Sequence, residues 1–263
     1  MSVVFHEASK TFHLFNKEAS YVISVLPNGG IENLYYGKVI KDRDSFAHHH
    51  EEVGRSHMAV CVEEPGILAR HYVRDEYPSY GTGDFRSPAY TVLQENGSRI
   101  SEYKYVSHKI TKGKPSLAPL PSTYVENDSE AETLEITLTD CVTNTDMVLS
   151  YTIYTDYPVI TRHTRFNHKG EKPIVLQRAL SFAVDFLDMN YEMLQFFGAW
   201  ARERYIKKRR LEMGIQSVGT VTGTGSGADH NPFIALSRPE TTESSGEVYG
   251  FNLVYSGNFL AQV

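Results

Sequence analysis

Three consecutive histidines, His48 to His50, followed by Glu51 and Glu52, make the densest set of metal-capable side chains in the 263-residue chain. Metal sites ordinarily draw ligands separated by spacers, and neighbours on an extended chain point to opposite sides, so three adjacent histidines do not converge on one ion. The run reads as a polar loop, with no metal and no cofactor expected. Just before it Asp42 and Asp44 bracket Arg43, and Asp84 and Asp185 stand in strand-like text. No spacing pairs these carboxylates as acid and nucleophile, and surface salt links are commoner than catalytic dyads. The chain has no GxSxG, no HExxH and no Cys/His signature of nucleophilic or metal-assisted hydrolysis. The glycine-rich stretch Gly219 to Gly227 is followed by Ala228-Asp-His-Asn-Pro232, where proline opposes the helix that a phosphate cradle needs. It reads as a surface loop or as the frame of a polar ligand.

Three other loops are dense in Gly, Tyr, Arg and Asp: Gly81 to Tyr90, Gly198 to Arg204 and Asp229 to Phe233. Aromatic faces beside planar polar groups suit a sugar, which presents an apolar C–H face and a ring of hydroxyls. Trp200 is the only tryptophan; on composition a core indole and a sugar platform are equally good readings of it.

The elements that must carry these loops are strands. Tyr21 to Leu26, Met58 to Val62, Tyr90 to Leu93, Tyr103 to Ile110, Thr133 to Leu138, Val148 to Tyr154, Val159 to Asn167, Ile174 to Phe186 and Phe233 to Ser237 are rich in branched and aromatic residues. Turn signals separate most of them, among them Pro27-Asn-Gly-Gly30 and Asn96-Gly97, and many short strands at this spacing indicate a β-sandwich. The segment Glu130 to Asp140 is the clearest, because Leu134, Ile136 and Leu138 alternate with Glu135, Thr137 and Thr139. Asp188 to Gly214 fits either a helix or two strands joined at Gly198. The final stretch, Gly246 to Val263, reads as strand with no turn or polar tail after it, so the chain is expected to be part of something longer.

Composition bounds the function. Hydrophobic content of 41% with 22% charge fits a globular protein with a core, and a formal charge of −6 provides no general pull toward nucleic acid or anionic membrane. The basic run Arg202 to Arg210 reads as a solvated strand or loop face. Cys61 and Cys141 lie in apolar text without CxxC spacing and read as buried free thiols. No run of 18 apolar residues and no secretory h-region is present, so a cytoplasmic location is expected.

At the level of ordered motifs the chain is similar to a known family. Phe12-His-Leu with Asn16, Ser20-Tyr-Val-Ile-Ser-Val-Leu-Pro-Asn-Gly-Gly30, Leu34-Tyr-Tyr-Gly-Lys38, Arg43-Asp44, Gly83-Asp-Phe-Arg-Ser-Pro-Ala89, Leu120-Pro-Ser-Thr-Tyr124, Gly198-Ala-Trp-Ala-Arg-Glu203 and His230-Asn-Pro-Phe233 together resemble the N-terminal region of bacterial family 36 α-galactosidases. The resemblance covers essentially the whole chain. It implies an all-β fold, a β-supersandwich of the galactose-mutarotase-like kind, over residues 1–263 as one domain ahead of a (β/α)₈ catalytic barrel. The substrates implied are raffinose- and melibiose-type galactosides, cleaved with retention by two aspartates on the barrel, one of them in a Lys-Trp-Asp-like motif. This sequence has no such motif, since Trp200 is followed by Ala201; the segment alone is expected to hold no catalytic residue and to be inactive. The resemblance further implies a homotetramer that brings a loop of this domain against a neighbouring subunit's active site. Asp44 and Arg55 are the residues of that loop implied to reach the sugar, and Trp200 and Arg202 are further substrate-side candidates. The His48 to His50 run departs from the family's usual text. Two alternatives stay open: a carbohydrate-binding or oligomerisation module without chemistry, and a mutarotase-like enzyme, for which His163 and His168 are available but have no paired Glu.

Overall fold

The computed structural model describes residues 2–51, 60–63, 66–69, 72–81, 83–223 and 228–263, with backbone only for 60–63 and 66–69. The strands run β1 (Ser2–His6), β2 (Thr11–Phe15), β3 (Ala19–Val25), β4 (Ile31–Lys38), β5 (Val60–Glu63), β6 (Gly66–Ala69), β7 (Tyr90–Gln94), β8 (Lys104–Lys112) and β9 (Ala131–Asp140). They continue as β10 (Thr145–Tyr154), β11 (Ile160–His168), β12 (Ile174–Ala179), β13 (Glu192–Ala199), β14 (Arg202–Arg210), β15 (Ser217–Thr220), β16 (His230–Ser237), β17 (Val248–Asn252) and β18 (Phe259–Gln262). Helical content among the described residues is confined to two single 3₁₀ turns, Ala47–His49 and Asp128–Glu130. No helix among them is long and apolar enough to cross a membrane.

The chain forms two compact units, residues 1–116 with 124–185, and residues 117–123 with 186–263. In the first, β1-β2-β3-β4 and β11-β10-β9-β8 are antiparallel four-stranded sheets, accompanied by the pairs β12-β7 and β5-β6. The two larger sheets share one core: Val3, Phe12, Leu14, Tyr21 and Ile23 from one pack with Leu134, Ile136, Leu138, Met147, Leu149, Tyr151 and Ile153 from the other. This is the sandwich that the strand spacing indicates. β9 keeps the alternation seen in the sequence, with its leucines and isoleucine buried and Glu135, Thr137 and Thr139 half-buried. β2 and β3 do not alternate. Four consecutive residues of β2 and five of β3 are buried, because the opposite face of their sheet carries a second small core of Val22, Leu34 and Phe46. The Pro27-to-Gly30 turn signal closes the β3–β4 hairpin, with Gly29 at φ 84° and the Asn28 side chain accepting the Gly30 N–H at 2.9 Å.

Within the first core sits an ion pair. The Glu76 carboxylate is fully buried, lies 2.5 Å from an Arg162 guanidinium nitrogen, and accepts from the hydroxyls of Tyr21 at 2.8 Å and Tyr151 at 2.9 Å. Burial pushes the Glu76 carboxyl up, and Arg162 and the tyrosine hydroxyls work against that rise. Burial likewise lowers Arg162, but Glu76 and then the two tyrosines outweigh it and hold the guanidinium above its ordinary range. Both phenols are raised, chiefly by burial, so they remain protonated donors. The group joins β3, β10, β11 and the segment before β7, with Arg162 also donating to the Ala183 carbonyl at 2.8 Å.

In the second unit β14-β13-β16-β17 form one sheet and β15-β18 a pair, around Tyr191, Met193, Val218, Ile234, Leu236 and Phe259. The ambiguous stretch from Asp188 is therefore the hairpin β13–β14 and no helix. β14 is exposed along nearly its whole length, as the basic run predicts. The strand expected from Ile174 to Phe186 stops at Ala179. Cys141 corrects the buried-thiol expectation: it is free and exposed in the β9–β10 turn, where no sheet covers it. The side chain of Cys61 lies outside the described residues.

Replacing Glu76 with alanine strands the Arg162 charge in the core, and should cost about 3–5 kcal/mol. Tyr21→Phe removes one donor among several and should cost about 1 kcal/mol. Thermal unfolding of both variants checks this ordering; equal midpoints would remove the ion pair from its central place.

Candidate functional site

The segment after β4 crosses the second face of the first sheet, and the residues behind it decide its shape. Val39 N–H donates to the Glu18 carbonyl at 2.8 Å and Ile40 N–H to Ser20 Oγ at 3.1 Å, which fixes the departure from β4. Asp42 turns inward. Its Oδ1 accepts from His6 Nε2 at 2.9 Å and from His13 Nδ1 at 2.8 Å. The β1–β2 register, Val4 opposite His13 and His6 opposite Thr11, places the two histidines as diagonal neighbours on one face. Phe46 fills the small core, edge-on to His13 with ring centroids 4.9 Å apart. At the far end Arg74 donates to the His49 carbonyl at 2.8 Å, and His50 Nδ1 donates to Glu32 at 2.8 Å.

His13 Nε2 also meets Ser20 Oγ at 3.0 Å. The Asp42 carboxylate can only accept, so His13 Nδ1 carries the hydrogen, and in the neutral imidazole Nε2 then accepts from the Ser20 hydroxyl. Serine, histidine and aspartate thus follow one another as in an acyl-transfer triad. Ser20 and His13 are fully buried, no substrate carbonyl can reach the hydroxyl, and the relay is a structural clamp.

Burial lowers the His13 pKa against the opposing pull of Asp42. Burial raises Asp42, but the hydrogen bonds from His13 and His6 outweigh it, and the carboxyl is held low. His49 is lowered too, by burial and then by His48, Arg74 and Arg43.

Between the inward anchors Asp42 and Phe46 stand Arg43, Asp44 and Ser45, all exposed. Ser45 Oγ accepts the Ala47 N–H at 3.2 Å, while Asp44 sits at a bend with no partner among the described residues. Arg55 lies outside the described residues. His48 and His49 belong to the 3₁₀ turn and flank Phe46; His50 turns to Glu32. Among the described residues no group of three or more His, Cys, Asp and Glu is placed to hold a metal ion.

The other two candidates occupy the second unit. Trp200 and Ala201 form the turn between β13 and β14, with Arg202 opposite Ala199. Trp200 is 88% exposed, so within this chain it is not a core indole. Ala201 and Arg204, at φ 63° and 64°, hold conformations that non-glycine residues rarely adopt. A Cβ at Gly198 would collide with the Arg202 carbonyl and the Glu203 backbone, which is why the bulge beside this turn needs glycine. Gly198 N–H donates to the Asp229 carbonyl at 3.0 Å, and Phe196 stacks on Phe233. Two of the three sugar-suited loops thereby meet. The third belongs to the first unit, where Arg86 binds the buried Asp84 through Nε at 2.9 Å and Nη2 at 2.8 Å and lies 3.5 Å from Asp185. His168 spends Nδ1 on Thr145 and Nε2 on the Lys172 carbonyl, so one of the two histidines offered for a mutarotase-like base is committed to its own hairpin.

Sequence reasoning did not connect His6, His13 and Asp42. Their spacing carries no motif, and only the hairpin register brings the two imidazoles to one carboxylate.

The profile of the glycosyl hydrolase family 36 N-terminal domain matches residues 29–263. The chain is 43% identical over its whole length to α-galactosidase AgaA of Geobacillus stearothermophilus, spanning 36% of that protein. An α-galactosidase from Lactobacillus brevis superposes with a TM-score of 0.94 at 39% identity, over 98% of this chain and 35% of that one. A variant of the Geobacillus AgaA in complex with raffinose gives a TM-score of 0.88 at 43% identity, over 96% and 35%.

His13 and His49 enter the folded state with lowered pKa values, so their contribution is complete above the unfolded value of about 6.5 and is lost as pH falls through the folded values. The thermal midpoint should therefore drop between pH 7.5 and pH 5. His13→Gln should flatten that slope by at most one proton, about 1.4 kcal/mol per pH unit, while lowering stability throughout. An unchanged slope in the variant would show that His13 does not titrate in this window.

Proposed function

The chain belongs to glycoside hydrolase family 36 as its N-terminal domain, and from that premise we propose that residues 1–263 are the N-terminal β domain of an α-galactosidase. The enzyme removes terminal α-linked galactose from raffinose- and melibiose-type oligosaccharides with retention. The observation that carries this is the 43% identity over the full chain to an α-galactosidase, supported by likeness to a relative whose structure holds raffinose.

The chain spans about a third of the length of the relatives it matches, and the described residues contain strands and two 3₁₀ turns. The nucleophile and the acid/base lie outside this segment in the proposed enzyme. What this chain supplies is binding. A carboxylate that accepts from two sugar hydroxyls beside a guanidinium recognises a galactosyl unit or the sugar next to it, and Asp44 with Arg55 takes that role across a subunit contact in a cytoplasmic homotetramer. Trp200 and Arg202 are second-rank candidates: an exposed indole can stack on a sugar face or pack on the catalytic domain.

The full-length enzyme should hydrolyse melibiose and release the α-anomer first, as NMR of early product reads directly, and residues 1–263 alone should show no turnover. First release of the β-anomer would exclude retention. Asp44→Ala should raise KM for raffinose about tenfold with kcat within about twofold, the mark of a group that binds substrate and transition state alike.

A further inference from the structure

We propose that Asp42, whose Oδ1 is turned to His6 and His13, is the positioning residue of the Asp44 loop; for its effect on substrate the inference rests on the sugar-binding role given to Asp44. Asp42 and Phe46 are the two inward anchors on either side of the bend, four residues apart. Ser45 is spent on the Ala47 N–H, so with both anchors in place Arg43 and Asp44 are the residues between them that make no hydrogen bond among the described residues. Phe46 is held by an apolar contact, which tolerates sliding. Asp42 is held by two directional bonds from rings that are themselves fixed, His13 by the Ser20 hydroxyl and His6 by its strand. The clamp therefore sets the azimuth of the bend, and Asp44 reaches its ligand with little left to order.

Both histidine bonds fall on the same oxygen, Oδ1, at 2.9 and 2.8 Å. An asparagine that keeps that oxygen keeps both acceptor bonds and loses the charge, whereas alanine loses everything. The two substitutions separate geometry from electrostatics.

The test uses the full-length enzyme as D42A, D42N, D44A and D42A/D44A, with kcat and KM for raffinose and amide hydrogen exchange over residues 43–46. D42A should raise KM roughly five- to tenfold with kcat within about twofold, D42N should stay near the parent, and D42A should add nothing once Asp44 is gone. Exchange over 43–46 should accelerate in D42A and not in D42N. Effects of D42A and D44A that multiply, or unchanged exchange in D42A, overturn the positioning role. Accelerated exchange in D42A with parent-like KM in D44A keeps Asp42 as the residue that sets the loop and discards the sugar contact of Asp44. If D42A does not fold, His6→Phe, which removes one of the two donors and keeps a ring near Phe46, takes its place with the same expected directions.

Discussion

The buried pair of Glu76 and Arg162 is the constraint on which the first unit depends. A carboxylate taken fully out of water is tolerable only if its lone pairs are filled, and here a guanidinium and two phenols fill them. Satisfying Glu76 has a structural side effect. It fixes the segment 74–76 along the edge of β4, where Glu76 N–H donates to the Ile31 carbonyl, Asn33 N–H donates to the Arg74 carbonyl, and Asp75 bridges Glu32. Arg74, so placed, reaches over to the Leu34 and His49 carbonyls. The far end of the Asp44 loop is thus tied to the centre of the sandwich through Arg74 and Glu76.

The near end of that loop is tied by a different chemistry. Ser20, His13 and Asp42 form a line in which every hydrogen has one acceptor to go to, so the arrangement is directional as well as attractive. One surface segment is consequently held by an ion-pair-backed strand at one end, a clamp of neutral imidazole at the other and a phenylalanine between. The exposed residues it presents, Arg43 and Asp44, make no hydrogen bond among the described residues. Structure is carried by the inward side chains and recognition is left to the outward ones, the division of labour expected of a loop whose binding energy is not spent on ordering itself.

How far this was legible in the sequence depended on whether the controlling forces were local. β9 could be read residue by residue because one of its faces is wet. β3 showed strand text but no period, because Phe46, more than 20 residues on in the chain, covers its second face. The hairpin of β13 and β14 could not be told from a helix until the bulge at Gly198 resolved it. The family was legible because the order of motifs is itself information, and many of those motifs mark turns that the fold needs. The clamp was not legible, since His6, His13 and Asp42 acquire meaning only through strand register. The histidine run reads in the sequence as a polar loop; its packing was not legible there, since two of its three rings lie near Phe46 and the third bonds to Glu32.

Trp200 has a consequence that belongs to spectroscopy. It is the only indole in the chain and stands at the tip of one hairpin, almost fully in water. Excited beyond the tyrosine absorption band, the intrinsic fluorescence of this segment is therefore a single-site signal from the second unit, emitting toward the red while the turn is wet and moving to the blue when any surface covers it. Any change that leaves the turn wet would leave that emission nearly unchanged. A light-based assay of this chain would report first on the covering of one hairpin tip.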